Sequence, residues 1–338
     1  MIRLLDTFEK QNSRNIYEKS FTEDSKAYVD YYYNHGINDN EVVVYEKDGK
    51  IVSAMHLIPK NIIFGGKKSE AKYIYAVSTL EEYRKKGYSS QIFKEVLKEM
   101  YDNAEAFTYL IPSDEQVAGV YRKLGFEYVM DKKELIAGNR RKKPSNAFMI
   151  RKAENSDLLK LSIFAQSALY DRYSITLEKT IDYFKNMQEL AAHCGGKIEI
   201  FTERKVIVGY RIWLEDELIE EVLDGEIQNL CWLAGSSKPY LMLRIVNVEK
   251  FLQGLKFHEF SSFIIRIKDE IISENNGTFK FAYRAGNVKI TKIDDNNGIE
   301  PDYEMTIDEF TACIFGKGAV EEFPMQCSTN GVFINDYV

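Results

Sequence analysis

Cysteine and histidine are scarce and ungrouped in this sequence, with four of each among 338 residues. Cys194, Cys231, Cys313 and Cys327 make no C-x-x-C pair, so no zinc knuckle is implied and free thiols in a reducing compartment are expected. His35, His56, His193 and His258 show no H-E-x-x-H or similar spacing, so no metal is expected. There is no basic excess: 45 Lys and Arg against 52 Asp and Glu leave a net charge of −7, which argues against a nucleic-acid partner. No apolar run is long enough to span a membrane, and the opening residues do not read as a signal peptide. A cytoplasmic protein without a membrane partner is expected.

What is present can fill more than one core, since 45% of residues are hydrophobic and 13% aromatic. The length suits about two or three domains. The most informative stretch is 71–102. Tyr73, Ile74, Tyr75 and Val77 are β-branched or aromatic, as in a buried strand. Ile92, Phe93, Val96, Leu97 and Met100 recur at spacings of three and four, marking one face of a helix. Between them lies Arg84-Lys85-Lys86-Gly87-Tyr88-Ser89, an R-x-x-G-x-S turn. Helix-opening amides lack intrahelical partners and carry the positive end of the dipole, and Gly87 admits close approach of an anion. On these six residues alone, a phosphate site and a solvated basic turn are equal readings.

The longer string Val77-Ser78-Thr79-Leu80-Glu81-Glu82-Tyr83-Arg84-Lys85-Lys86-Gly87-Tyr88-Ser89 resembles the acetyl-CoA loop of the GNAT (Gcn5-related) N-acetyltransferases, V-x-T-x-P-x-Y/F-R-x-x-G-x-G/A/S. It departs at Glu81, where the family often has proline; this should loosen the turn without removing an amide donor. The resemblance implies acetyl-CoA as co-substrate. Val77, Ser78 and Thr79 would line its pantetheine arm, and Arg84, Lys85, Lys86, Gly87, Tyr88 and Ser89 its pyrophosphate.

Upstream, residues 14–35 carry two helical patterns, with Ile16, Tyr17 and Phe21 in the first and Ala27, Tyr28, Tyr31 and Tyr32 in the second. Asn34-His35-Gly36 is a plausible stop. Tyr31, Tyr32 and Tyr33 are either core aromatics or the wall of an amine pocket. Strands follow at 41–46 and 51–58 around Lys47-Asp48-Gly49-Lys50, where Asp-Gly is a hairpin signal, and at 61–64 before the Gly65-Gly66 turn. Downstream, 107–111 is a short strand, and 114–124 is a helix capped by Ser113 or Asp114 and closed by Gly125. Residues 127–136 would supply the last strands of this part. Val120-Tyr121-Arg122-Lys123-Leu124-Gly125-Phe126 is similar to the family's Y-x-x-x-G-F segment. Tyr121 is either a packing residue or an acid, because a phenol with pKa near ~10 stays protonated at neutral pH and can donate to a thiolate. The resemblance favours the acid, protonating the departing CoA sulfur.

Asn139-Arg140-Arg141-Lys142-Lys143-Pro144-Ser145-Asn146 reads as a solvated basic linker. After it the order repeats: a strand at 148–151, helical patterns at 157–173 and 177–187, then strands at 198–202 and 206–213 with Arg204-Lys205 where Asp-Gly might stand. No second R-x-x-G-x-G/A/S precedes a helix, and Cys231-Trp232-Leu233 reads as core. From Pro239 come a strand and short helix over 241–252, period-two segments at 260–269, 277–283, 288–293 and 302–305, and a helix at 306–316 with Thr306 and Glu309 in capping-box spacing.

This succession resembles the Eis (enhanced intracellular survival) type of GNAT protein. The resemblance implies an α+β chain. Residues 1–138 would form a GNAT fold, a mixed and mostly antiparallel sheet flanked by helices. Residues 139–146 would be the linker, 147–238 a degenerate GNAT-like domain, and 239–338 a sterol-carrier-protein-like α/β domain acting as a structural wall. It also implies a homo-oligomer, often a hexamer.

The final Phe333-Ile334-Asn335-Asp336-Tyr337-Val338 is apolar enough not to trail freely. It is either a strand that packs down with Asp336 solvated or, as the resemblance implies, a tail whose terminal carboxylate enters the first domain. There the α-carboxylate of Val338 would be the base; with a pKa near ~3.5 it needs burial or a water relay. The expected function is direct acetyl transfer from acetyl-CoA to a primary amine, whether aminoglycoside, polyamine or lysine-like, with an amide near Val77 polarising the thioester. The rival is a non-catalytic CoA-binding sensor or scaffold, against which the loop and Tyr121 together argue.

Overall fold

The computed structural model describes residues 1–133, 148–215, 217–225, 237–255, 257, 261–284, 287–294, 298–318, 323–324 and 331–336. The basic run 139–146, Cys231, Trp232, Leu233, His258, Cys327 and Val338 lie outside them.

Six strands precede residue 134: β1 (Ile2–Leu4), β2 (Glu41–Lys47), β3 (Lys50–Phe64), β4 (Lys67–Thr79), β5 (Phe107–Leu110) and β6 (Glu127–Lys133). Asp48 and Gly49 take φ of 52° and 73°, the left-handed pair that a tight two-residue hairpin needs, so β2 and β3 register outward from Lys47 and Lys50. Four helices accompany these strands: α1 (Arg14–Ser20), α2 (Lys26–Tyr31), α3 (Tyr88–Asp102) and α4 (Glu115–Arg122). α3 buries Ile92, Phe93, Val96, Leu97 and Met100 against Leu57, Ile74 and Leu110 of the sheet. Of the two candidate caps for α4, Asp114 is used, accepting from the Val117 amide at 2.8 Å.

The middle region contains β7 (Met149–Lys152), α5 (Leu158–Leu169), β8 (Ile175–Leu177), α6 (Ile181–His193), β9 (Lys197–Glu203), β10 (Val206–Leu214) and β11 (Glu217–Leu223). Strands β11-β10-β9-β7 make a separate antiparallel sheet. Arg204 and Lys205 adopt φ of 46° and 71°, giving the β9–β10 turn its left-handed shape without glycine. The last region holds β12 (Ser237–Ile245), α7 (Val248–Gly254), β13 (Ser261–Lys268), β14 (Gly277–Arg284), β15 (Asn287–Ile293), β16 (Tyr303–Thr306), α8 (Ile307–Ile314) and β17 (Val332–Phe333), with β15-β14-β13-β16 as a third sheet.

β12 does not join that third sheet. It inserts between β5 and β6, with Leu243 opposite Tyr109 on one side and Glu127 on the other, giving the order β1-β2-β3-β4-β5-β12-β6. Only β4 and β5 run parallel in this row. At the β3 edge, β2 pairs as far as Leu57, and β8 takes over from Ile62, carrying β17 parallel beside it. The face opposite α3 is buried against the last region, where Phe64, Phe107, Tyr109 and Leu243 share a core with Phe251, Phe263 and Phe310. Successive strand residues face opposite ways, so one sheet serves both cores.

Candidate active site

β4 and β5 pair only at Lys72 with Thr108 and Tyr73 with Tyr109, then diverge, while β4 runs on to Thr79. Within this free stretch β4 carries a bulge: between the pairs Ala54–Ser78 and His56–Tyr75, one residue of β3, Met55, opposes two of β4, Ala76 and Val77. Ala76 accordingly takes φ of 49°, and the bulge re-aims the backbone around Val77. On the β3 side, the Ser53 hydroxyl donates to Ser78 O at 2.8 Å and meets Thr79 Oγ1 at 2.9 Å. The opposite edge of Val77, Ser78 and Thr79 faces the opening.

The turn after β4 is well formed despite Glu81, with Tyr83 N donating to Leu80 O at 2.8 Å and Arg84 N to Glu81 O at 3.1 Å. Arg84 Nε then reaches Thr79 O at 3.1 Å, and Lys86 Nζ reaches Glu82 O at 2.6 Å. Both cations therefore brace the turn itself, while Lys85, at φ of 60°, is exposed. Gly87 is the N-cap of α3 at φ of 79° and offers no side-chain cap, so the helix-opening amides of Tyr88 and Ser89 are uncapped by any side chain. A Cβ built on Gly87 would meet nothing within 4 Å, so the space before these amides is open. Lys47, from the β2–β3 hairpin, brings its ammonium within 3.4 Å of the Tyr88 hydroxyl. The motif gave no sign of Lys47, which lies about 40 residues upstream and arrives only through strand pairing.

Tyr121 sits on α4 with its ring against Phe93 and Phe126, at centroid distances of 5.6 and 6.1 Å. It forms no hydrogen bond through its hydroxyl among the described residues. Burial, aided by the charge of Asp114, pushes its phenol up to about 12, so it holds its proton at neutral pH. A second group of phenols lies toward α1 and α2: Tyr75 OH is 2.6 Å from Tyr17 OH and 2.9 Å from Tyr28 OH, and Tyr17 donates to Asp24 at 2.5 Å. Burial raises the Asp24 carboxyl, with the Tyr17 bond opposing it.

Tyr31 and Tyr32 part company. After α2 the chain widens into a π-helical turn over Tyr32–Gly36. Tyr32 points into the core, fully buried, with its hydroxyl 2.6 Å from His56 Nδ1 and accepting from Asn40 Nδ2 at 3.1 Å. It lines no pocket. Tyr31 faces outward beside His35 and His193 and borders a groove of about 630 Å³ between the first sheet and α6. The groove opens at the interrupted β3 edge, at Ile58, Pro59, Lys60 and Asn61, and carries the carboxyl groups of Asp39, Asp182 and Glu189. Asn335 and Asp336 also line it.

Those two residues arrive by the C-terminal segment. Gly331 O accepts from Ser174 N at 2.8 Å, β17 continues along β8, and Ile334 N lies 3.3 Å from Met130 Sδ. Asp336 is buried, accepting from Lys60 Nζ and from Tyr109 OH, each at 2.6 Å.

Residues 1–129 match the family of acetyltransferase (GNAT) domains, and residues 248–323 match sterol carrier protein domains. The first domain is a GNAT acetyltransferase domain. Three solved structures share the fold along nearly the whole chain. A probable N-acyltransferase from Enterococcus faecalis V583 has a TM-score of 0.77 at 16% identity, covering 100% of this chain and 99% of that one. A GCN5-related N-acetyltransferase from Kribbella flavida has a TM-score of 0.74 at 14% identity, covering 100% of both. Eis1 from Mycobacterium abscessus has a TM-score of 0.67 at 13% identity, covering 94% of this chain and 90% of that one. No curated protein matches in sequence.

The R-x-x-G-x-S turn before α3 has no counterpart at α6, the helix that the middle region sets beside the groove. There Thr180 caps the N-terminus, accepting from Tyr183 N at 3.0 Å, and Asp182 occupies the first turn. A capped, acidic helix start repels phosphate, whereas the uncapped start of α3 invites it.

Proposed function

We propose that this chain transfers an acetyl group from acetyl-CoA to a primary amine, directly and without a covalent enzyme intermediate. The observation that carries the reading is the uncapped α3 N-terminus lying behind a bulged strand whose parallel neighbour has diverged. This arrangement suits a pyrophosphate at the helix and an extended thiol arm along β4. The thioester carbonyl would lie near the bulge, where the backbone at Val77 can donate to the developing oxyanion. The amine lone pair attacks the carbonyl carbon, the C–S bond breaks, and Tyr121 gives its proton to the departing thiolate. A phenol raised to about 12 is a weak acid in water but a suitable donor to a thiolate formed beside it.

The proton lost by the amine goes to the α-carboxylate of Val338, directly or through water. Support comes from the docking of Asp336, two positions before Val338 in the sequence, at the point where β4 and β5 part. The carboxylates of the groove favour a cationic acceptor such as a polyamine, an aminoglycoside or a lysine side chain. Pro59, paired with Lys72 of β4 on one side, stands where the other edge of β3 is left between β2 and β8, and it offers no amide donor, which makes that edge a poor template for an incoming peptide strand.

The test is thiol release from acetyl-CoA with a panel of amines, using wild type, Tyr121→Phe and a deletion of Val338. Amine-dependent turnover should fall roughly 10²–10⁴-fold in Tyr121→Phe with acetyl-CoA affinity kept, and should fall also in the deletion. Binding of acetyl-CoA with no turnover on any amine would instead make the protein a CoA-binding sensor.

A further inference from the structure

We propose that Asp336 is a positioning residue: it latches the segment 331–336 to the point where β4 and β5 part, and so holds the acceptor groove in register with the acyl-transfer cleft. The catalytic half of this inference rests on the acyl-transfer reading above; the latch itself does not.

Tyr109 is the last residue of β5 that pairs with β4, and its ring stacks on Tyr73 at 5.2 Å and 12°. Its hydroxyl donates to one oxygen of Asp336. The other oxygen holds the ammonium of Lys60, which belongs to the stretch of β3 between its last pair with β2 and its first with β8. One carboxylate, 5% exposed, thus joins the apex of the cleft to the floor of the groove across 227 and 276 residues of sequence. With a cation and a phenol committed to its two oxygens, Asp336 acts as a strut and not as a free base.

From the middle region, Glu178, Asp182 and Glu189 line the same groove, Glu178 paired with Lys68. The Tyr183 ring borders the groove, and the ammonium of Lys179 lies 3.9 Å from its centroid, bonded to both oxygens of Glu220 at 2.9 and 2.8 Å. Among these carboxylates Asp336 is the one that bonds Lys60, at 2.6 Å. Removing its charge leaves the Lys60 ammonium partly buried without that counter-ion and leaves the tail held by the short β17 ladder and the buried Ile334 alone.

The experiment uses the full chain as Asp336→Asn, Tyr109→Phe and the charge exchange Lys60→Asp with Asp336→Lys. Amide hydrogen exchange across 331–336 reads the latch without reference to any substrate. Exchange should quicken about tenfold or more in Asp336→Asn, less in Tyr109→Phe, and return toward wild type in the charge exchange. On an amine that wild type acetylates, kcat should fall about tenfold or more in Asp336→Asn while the acetyl-CoA Kd stays within about twofold. Unchanged exchange in Asp336→Asn overturns the latch. Quickened exchange with unchanged kcat overturns the positioning role. If wild type acetylates no amine, the acyl-transfer reading and this catalytic role fall together, and exchange alone decides the latch.

Discussion

Arg244 and Asp269 meet in the interior, the Arg244 Nη2 bonded to both carboxylate oxygens at 2.7 Å, with 0% and 4% exposure of the two residues. Arg244 lies on β12, within the GNAT sheet, while Asp269 follows β13 of the last region. The same guanidinium donates from Nε to Leu124 O at 2.9 Å, just beyond the helix that carries Tyr121. Gly125 makes room for it, since a Cβ there would stand 2.6 Å from Arg244 Nε. Burial alone would raise the Asp269 carboxyl, but Arg244 and the Asn275 and Ile272 donors hold it below the usual range. The sterol-carrier-like region is thereby wired to the end of α4.

Removing one partner of such a pair strands the other in the interior. Arg244→Met should cost about 3–5 kcal/mol, and Asp269→Asn less, because the amide still accepts a hydrogen bond. Urea midpoints check this. A loss under about 1 kcal/mol for Arg244→Met would mean that Asp269 finds water or another cation.

Gly87 separates folding from binding. At φ of 79° an alanine is strained, but its Cβ meets no neighbour. Gly87→Ala should therefore cost only about 1–2 kcal/mol of stability. The added methyl would stand before the α3 amides, so CoA affinity should fall about tenfold or more if phosphate approaches there. Calorimetric titration with CoA reads the second effect and thermal unfolding the first. Unchanged affinity would place the pyrophosphate elsewhere.

Elements whose causes are local were legible in the sequence. The five apolar residues of α3, the Asp48-Gly49 hairpin, the Asp114 cap and the Gly87 turn each depend on residues a few positions apart. β12 was visible as a strand, but its place between β5 and β6 depends on partners over 100 residues away, and a strand's own pattern does not name its neighbours. Tyr31 and Tyr32 could not be told apart because the π-helical turn that follows α2 departs from the helical period on which their reading rested. Lys60 and Asp336 carried no local signal. A solvated Asp336 was the plain reading of the tail, and burial against two distant strands is what makes it a strut.

His56 supplies a stability that acid removes. Its ring is 1% exposed, with Nδ1 2.6 Å from the Tyr32 hydroxyl, which itself accepts from Asn40. Burial holds its pKa down to about 3, against about 6.5 in an unfolded chain. Between those values the unfolded state binds a proton that the folded state refuses, so unfolding gains as pH falls. The contribution is fully present above about pH 6.5, is reduced by about 2 kcal/mol at pH 5, and is lost as pH falls further toward about 3. Urea midpoints of wild type should drop between pH 7.5 and 5. In His56→Gln, which cannot titrate, the midpoint should start lower, because Tyr32 loses its partner, but should change much less over that range. Parallel pH dependence in the two proteins would assign the acid sensitivity to other groups.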